Sequence, residues 1–269
     1  MNVKSGFAEV NGTRLYYEAA GSGGPLVLIH GFTLCTEMWD DQFEEFAEHY
    51  SVVRYDARGY GRSAKPVLGE AYSHEEDLRA LLDHLGIERT AVLGLSMGGF
   101  IAVNFAIAYP KSITALIPVD SSLMGHRRSR EFSEMLDEIY VRGREEGPEA
   151  AKRLFFSCPL FKPALERPLL ASRLRRLVSA YSGWHFVNDD PRVQVLGVMA
   201  IQQLERIHAP TLVIVGERDL PDFHEVADIL EQRIPGARKI VLKGVGHMSN
   251  MEDPEGFNEV VLTFLSKKR

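Results

Sequence analysis

Short apolar runs alternate with segments of helical periodicity through the first half of the chain, and few folds tolerate that rhythm. Leu26-Val27-Leu28-Ile29, Ser51-Val52-Val53-Arg54-Tyr55, Ala91-Val92-Leu93-Gly94-Leu95 and Ile113-Thr114-Ala115-Leu116-Ile117 read as strands. Between the second and third, Leu78, Leu81, Leu82 and Leu85 repeat at i, i+3, i+4, i+7, and Ser73 with Glu76 forms a capping box. Such a stretch is a helix with one apolar stripe facing a sheet. Strands separated by helices predict an α/β fold with a mostly parallel central sheet and helices on both faces.

The rhythm breaks after Asp120. Residues 123–190 carry helical patterns without strand-like runs, cut into short pieces by Pro148, Pro159, Pro163 and Pro168. Alternation resumes with Thr211-Leu212-Val213-Ile214-Val215, an amphipathic stretch from Phe223 to Ile234, and Lys239-Ile240-Val241-Leu242. A last helix opens at Asp253-Pro254, with Asp suited to the N-cap and Pro to the first helical position. The expected organisation is one core in two parts, residues 1–122 and 191–269, interrupted by a helical lid at residues 123–190.

Lys and Arg number 31 against 37 Asp and Glu, a net charge of −6, so no global positive field holds a nucleic acid. Cys35 and Cys158, the two cysteines, are too few for a disulfide framework and lack the paired spacing of a zinc site. The polar start of the chain does not resemble a signal peptide, and no run approaches the roughly 20 apolar residues of a membrane span. A cytoplasmic protein without a membrane partner is expected.

Chemistry enters at Gly94-Leu95-Ser96-Met97-Gly98-Gly99, which follows a strand and opens a helical stretch. Glycines two before and two after a serine let strand and helix approach closely while the serine takes a strained conformation, the context of a nucleophile elbow. A phosphate-binding turn is the bland alternative, but the spacing matches neither G-x-G-x-x-G nor G-x-x-x-x-G-K. A serine nucleophile needs a base. His247 lies in the loop Gly244-Val245-Gly246-His247-Met248, directly after a strand, whereas His49, His74, His84, His208 and His224 fall on or beside helices or in an edge turn.

A carboxylate must hold the imidazole in the right tautomer. Asp219 follows the strand 211–215, with room for one helix and one strand before His247. Its competitors are Asp222, better placed as an N-terminal helix charge, and Glu217, better suited to a surface pair. Ser96, Asp219 and His247 thus each stand at the carboxyl end of a strand, and in a parallel sheet those ends lie along one edge. The backbone N–H of Met97 can stabilise an oxyanion, and the strand 26–29 ends in His30-Gly31-Phe32-Thr33, where the N–H of Phe32 offers a second donor. His30 reads as a residue that braces this loop.

With these residues in place the sequence resembles the α/β-hydrolase fold family over essentially its whole length. The resemblance rests on His30-Gly31-Phe32, Asp56-Ala57-Arg58-Gly59-Tyr60-Gly61-Arg62-Ser63, the elbow from Gly94 to Gly98, Asp219 and Gly246-His247. Asp56 and Arg58 read as structural. Haloalkane dehalogenases and epoxide hydrolases of this fold use an aspartate at the elbow, so Ser96 implies acyl transfer to water. Within the family the chain is similar to small carboxylesterases and 3-oxoadipate enol-lactonases, which implies a small ester or lactone substrate, an acyl-enzyme, and neither cofactor nor metal.

The family's pocket lies between lid and sheet edge. Leu123 and Met124, where the chain passes over the site, and Trp184 and Phe186, in the aromatic cluster with Tyr181 and His185, are the candidate substrate contacts. Arg127, Arg128 and Arg130 suit a solvated helix face better than a substrate carboxylate. Within the resemblance the alternatives are a carbon–carbon bond hydrolase or a thioesterase, and, from a different class, a triad-bearing ligand sensor acting through a protein partner. A sensor turns model esters over very slowly; an enzyme does not.

Overall fold

The computed structural model describes residues 2–190 and 198–267, so the return to the core, expected at residue 191, lies outside the described residues. Eight strands, β1 (Lys4–Val10), β2 (Thr13–Ala20), β3 (Pro25–Ile29), β4 (Ser51–Tyr55), β5 (Thr90–Leu95), β6 (Ile113–Val119), β7 (Leu212–Gly216) and β8 (Arg238–Leu242), form one sheet in the order β1-β2-β4-β3-β5-β6-β7-β8. From β4 to β8 every pairing is parallel, and β1 and β2 add an antiparallel end. The inner strands are mostly apolar because helices cover both faces; β5 and β7 are buried at every residue.

The helices are α1 (Asp40–Ala47), α2 (His74–His84), α3 (Met97–Ala108), α4 (Arg130–Glu146), α5 (Pro148–Phe156), α6 (Lys162–Leu165), α7 (Pro168–Ala180), α8 (Trp184–Val187), α9 (Pro221–Arg233), α10 (Ser249–Glu252) and α11 (Pro254–Ser266). Sequence capping signals operate as chemistry requires. Ser73 Oγ accepts the N–H groups of Glu75 and Glu76 at the start of α2, and the Asp253 carboxylate accepts that of Gly256 at the start of α11. Helix α3 is buried almost all round, which explains why it shows no polar face. None of the described helices is long and apolar enough to cross a membrane.

Between β6 and β7 the described chain carries only helical elements, α4 to α8. Charged contacts tie them to the core: Arg173 to Asp41 at 2.5 Å, Arg167 to Glu252 at 2.7 Å, and Arg218 to both oxygens of Glu166 at 2.7 and 2.8 Å. At the start of α4, Ser129 donates its backbone N–H and its hydroxyl to the Asp222 carboxylate of α9, at 2.6 and 2.7 Å. These contacts hold the helical segment over the carboxyl ends of the strands.

Candidate active site

Ser96 sits between β5 and α3 with φ 56° and ψ −108°, a backbone conformation that non-glycine residues rarely take. Strain of this kind costs on the order of 1–3 kcal/mol and persists only where the surroundings enforce it. Here the Ser96 N–H donates to Val119 O at 2.8 Å, and its carbonyl accepts the Phe100 N–H at 3.0 Å. The turn closes so tightly that a Cβ on Gly98 would lie 2.1 Å from Ile29 O, and one on Gly94 would lie 2.1 Å from Gly98 O. Only glycine fits at either position. Ser96 is consequently part-exposed among buried neighbours, at the mouth of the fold rather than inside it. Met97 opens α3, where a backbone N–H has no partner within the helix.

The turn after β7 carries Asp219. Asp219 Oδ1 accepts the Leu220 N–H at 2.7 Å, and Oδ2 stands 2.8 Å from His247 Nδ1. A carboxylate only accepts, so Nδ1 carries the proton and Nε2 is left as the basic nitrogen. Both side chains are buried. The Phe223 ring, from the first turn of α9, packs on the imidazole with centroids 4.3 Å apart. Glu217 points elsewhere: it pairs with Lys243 at 2.7 Å and accepts the Gly244 N–H, contacts that hold its carboxyl below the usual range. Asp222 lies in the first turn of α9, its carboxylate occupied by Ser129.

On the other side of Ser96, the loop after β3 is braced from within. His30 is fully buried, its Nδ1–H donates to Gly31 O at 2.8 Å, and its Nε2 accepts the Ala57 N–H at 3.0 Å. Burial lowers its pKa, so the ring is a neutral strut. Asp56 accepts the N–H groups of Thr36 and Arg62, and Arg58 pairs with buried Asp77 at 2.6 Å. All three work as structure. Phe32 is the loop's reach into the site, meeting Phe155, Phe186 and His185 of the helical segment edge-on at 5.4–6.0 Å.

A cavity of about 480 Å³ opens onto Ser96 and the Phe32 loop; Asp219 and His247 are not among the residues that line it. Phe32, Ser96, Met97, Phe223, Phe186 and Arg128 are among the residues that line it, so three of the candidate residues share one wall with Ser96. Leu123 and Met124 instead line an adjoining cavity of about 370 Å³, which shares Ser122, Phe132 and Phe223 with the first. Leu123, Met124 and Trp184 thus stand outside the cavity that Ser96 lines. Trp184 lines neither cavity; its ring packs edge-on against His185 at 4.9 Å, because α8 turns one side to the cavity and the other into the helical segment. Arg128, expected on a solvated face, is exposed yet borders both cavities, since the chain approaching α4 crosses the site opening.

Phe223 and Asp120 went unrecognised in the sequence, and His185 stood out there only as a member of the aromatic cluster. His185 lines the cavity while stacking on Tyr60 at 4.6 Å, and its Nδ1 lies 2.5 Å from the Tyr181 hydroxyl. Asp120, fully buried beyond β6, adjoins Asp219. Strand-end position alone marked it. The two thiols offer no competing nucleophile: burial pushes Cys35 up to about 12 and Cys158 up to about 11. Among the described residues no group of three or more His, Cys, Asp or Glu is arranged to hold a metal ion.

A family model described as the alpha/beta hydrolase fold matches residues 24–254. RutD of Escherichia coli O7:K1, a protein to which carbamate hydrolysis is provisionally ascribed, is 29% identical over 250 residues, 90% of this chain and 91% of its own. Among solved structures, the enol-lactonase of Burkholderia xenovorans LB400 superposes with a TM-score of 0.81 at 27% identity, covering 97% of this chain and 100% of that one. A thermophilic esterase of Thermogutta terrifontis, solved with malate bound, gives 0.78 at 26% identity, covering 98% and 99%. The chain belongs to the α/β-hydrolase fold family and is an esterase- or lactonase-like hydrolase.

Proposed function

We propose that the chain is a serine hydrolase that cleaves a small carboxylic ester or lactone through an acyl-enzyme. One observation carries this reading: the buried Asp219–His247 hydrogen bond of 2.8 Å, at the same sheet edge as the elbow that presents Ser96 to the cavity. His247 Nε2 takes the proton of Ser96 as the hydroxyl attacks the carbonyl. The oxyanion is received by the N–H groups of Phe32 and Met97, and His247 then protonates the leaving alkoxide. Water activated by the same imidazole hydrolyses the acyl-enzyme, while Asp219 stabilises the imidazolium in both halves of the reaction.

A volume of about 480 Å³ suits a small-molecule acyl group. Phe32, Phe155, Phe186 and Phe223 offer an apolar part of the lining to the acyl group, while Arg128, Arg144 and Asn188 make another part polar. Esterase and enol-lactonase relatives support the ester or lactone class, and carbamates enter the test because RutD is ascribed that activity.

Stoichiometric labelling by a fluorophosphonate, with its loss in Ser96→Ala, is the expected result, together with turnover of aryl esters and lactones in a screen graded by acyl length. Labelling that survives Ser96→Ala would overturn the assignment. Wild-type protein that is neither labelled nor active on any ester, lactone or carbamate would overturn the enzyme reading.

A further inference from the structure

Asp120 is a buried carboxyl that the proposed reaction does not use, yet it stands where all the acid–base loops meet. It follows β6 with φ 43°, a conformation that Asp and Asn adopt more readily than most residues. Its N–H donates to Ile214 O at 2.9 Å. Oδ1 accepts the N–H of Gly216, the residue that starts the turn to Asp219, at 2.7 Å. Oδ2 accepts the hydroxyl of Ser249, two residues beyond His247, at 2.6 Å. The turn after β7 and the His247 loop also touch directly, through the Arg218 N–H to Val245 O at 2.8 Å.

We propose that Asp120 is a positioning residue for the acid–base pair, tying the turn that carries Asp219 to the loop that carries His247 and holding the Asp219 carboxylate towards the imidazole. The inference rests on the serine-hydrolase reading. Asp219 is the charged group that faces it, and His247 lies beyond that carboxylate. Two carboxylates this close in a dry interior do not both ionise. Burial, and then the negative charge of Asp219, raise the Asp120 pKa well above the carboxylate range. Asp120 therefore keeps its proton and donates it to Asp219, a third hydrogen bond beside those from Leu220 and His247. The remaining acceptor sites on Asp120 are filled by Gly216 and Ser249, so the carboxyl has one orientation.

The arrangement predicts a specific pattern of rescue. Asparagine keeps the shape, tolerates the positive φ, accepts at one atom and donates at the other; alanine does neither. With a model ester, Asp120→Ala is expected to lower kcat by about 10–100-fold, the scale known for partners that orient metal-bound histidines, while KM stays within about twofold. Asp120→Asn is expected to restore kcat to within about threefold of wild type, with the acid limb of the kcat/KM profile unmoved, because no charge has been removed.

Wild-type kcat in Asp120→Ala, or an acid limb displaced in Asp120→Asn, would overturn the proposal. Equal impairment of both variants would do the same, since it shows a strut rather than a hydrogen-bond donor. Should Asp120→Ala fail to fold, the kcat and pH profile of Asp120→Asn decide alone. Fluorophosphonate labelling separates the two levels: failure of the serine-hydrolase reading leaves wild type unlabelled at Ser96, whereas failure of the inference alone leaves wild type and Asp120→Ala labelled at the same rate.

Discussion

The Nδ1 atom of His247 and the Oδ2 atom of Asp219 stand 2.8 Å apart, with both side chains buried. Glu217, two residues before Asp219, turns outward to Lys243. Two acids on one short turn are thereby given opposite surroundings, one buried against an imidazole and the other paired at the surface.

That contrast yields the first prediction. Asp219→Asn should fold and yet lose on the order of 10⁴ in kcat, the effect seen where an amide leaves the catalytic imidazole in the wrong tautomer. Glu217→Gln should keep wild-type kcat and change stability little, because an exposed pair contributes little. Steady-state kinetics of both variants with an aryl ester are the check. The reverse pattern would make Glu217 the acid.

The elbow makes a second prediction through its glycines. A methyl group on Gly98 would meet the backbone carbonyl of Ile29 at 2.1 Å, and a backbone atom in the central sheet cannot step aside. Gly98→Ala should therefore cost at least about 3 kcal/mol, the top of the usual range for overpacking, and should lose labelling at Ser96. Gly236→Ala is the control, since that site has open space and only a positive φ of 74°, worth about 1–2 kcal/mol. Thermal melts of the two variants measured together decide it; equal losses would contradict the steric account.

Asp120 supplies a pH dependence of stability. An acid whose folded-state pKa is raised binds its proton more tightly in the folded chain. Its contribution is complete below the unfolded value of about 3.9 and is lost as pH rises towards the folded one. Asp120→Asn has no proton to lose. The melting temperature of the variant relative to wild type should consequently climb as pH rises above about 4. A difference that stays flat with pH would show that Asp120 is not protonated in the fold.

The parts of this fold that were legible in the sequence are those written in apolar residues. The run Leu26 to Ile29 became β3, and Thr211 to Val215 became β7 with a shift of one residue, because a strand covered on both faces has no polar positions to obscure it. The strands β1 and β2 were missed for the opposite reason. They form a hairpin at one end of the sheet whose outer strand β1 is mostly exposed, and Lys4, Ser5 and Glu9 conceal the pattern. The usable signal was the turn Asn11-Gly12, whose φ values of 46° and 67° suit the tight hairpin that Asn-Gly favours.

The candidate triad was legible because parallel strands carry their ends to one edge, so that position along the chain became position in space. Phe223 and His185 were not. Their approach to the site depends on how α9 and α8 are turned when the helical segment closes over the sheet, which no local pattern records.

The two aromatic residues of α8 provide the last test, because the helix gives them opposite tasks. Phe186 lines the cavity with Ser96 and touches Phe32 at 5.4 Å, so its removal enlarges the space an acyl chain occupies. Each methylene bound in an apolar pocket is worth roughly 1–3 kcal/mol of discrimination, or about 10–200-fold. Phe186→Ala should therefore shift kcat/KM towards longer acyl chains by at least about tenfold per step, with fluorophosphonate labelling of Ser96 retained. Trp184 lines neither cavity and packs edge-on against His185. Trp184→Ala should leave the acyl-length profile unchanged and lower the melting temperature, since truncating a buried aromatic costs about 3–5 kcal/mol. Phe186 is buried as well and pays the same stability penalty, so the melting temperature alone does not separate them; the profile does. An altered profile in Trp184→Ala, with none in Phe186→Ala, would mean that α8 presents its other side to the substrate.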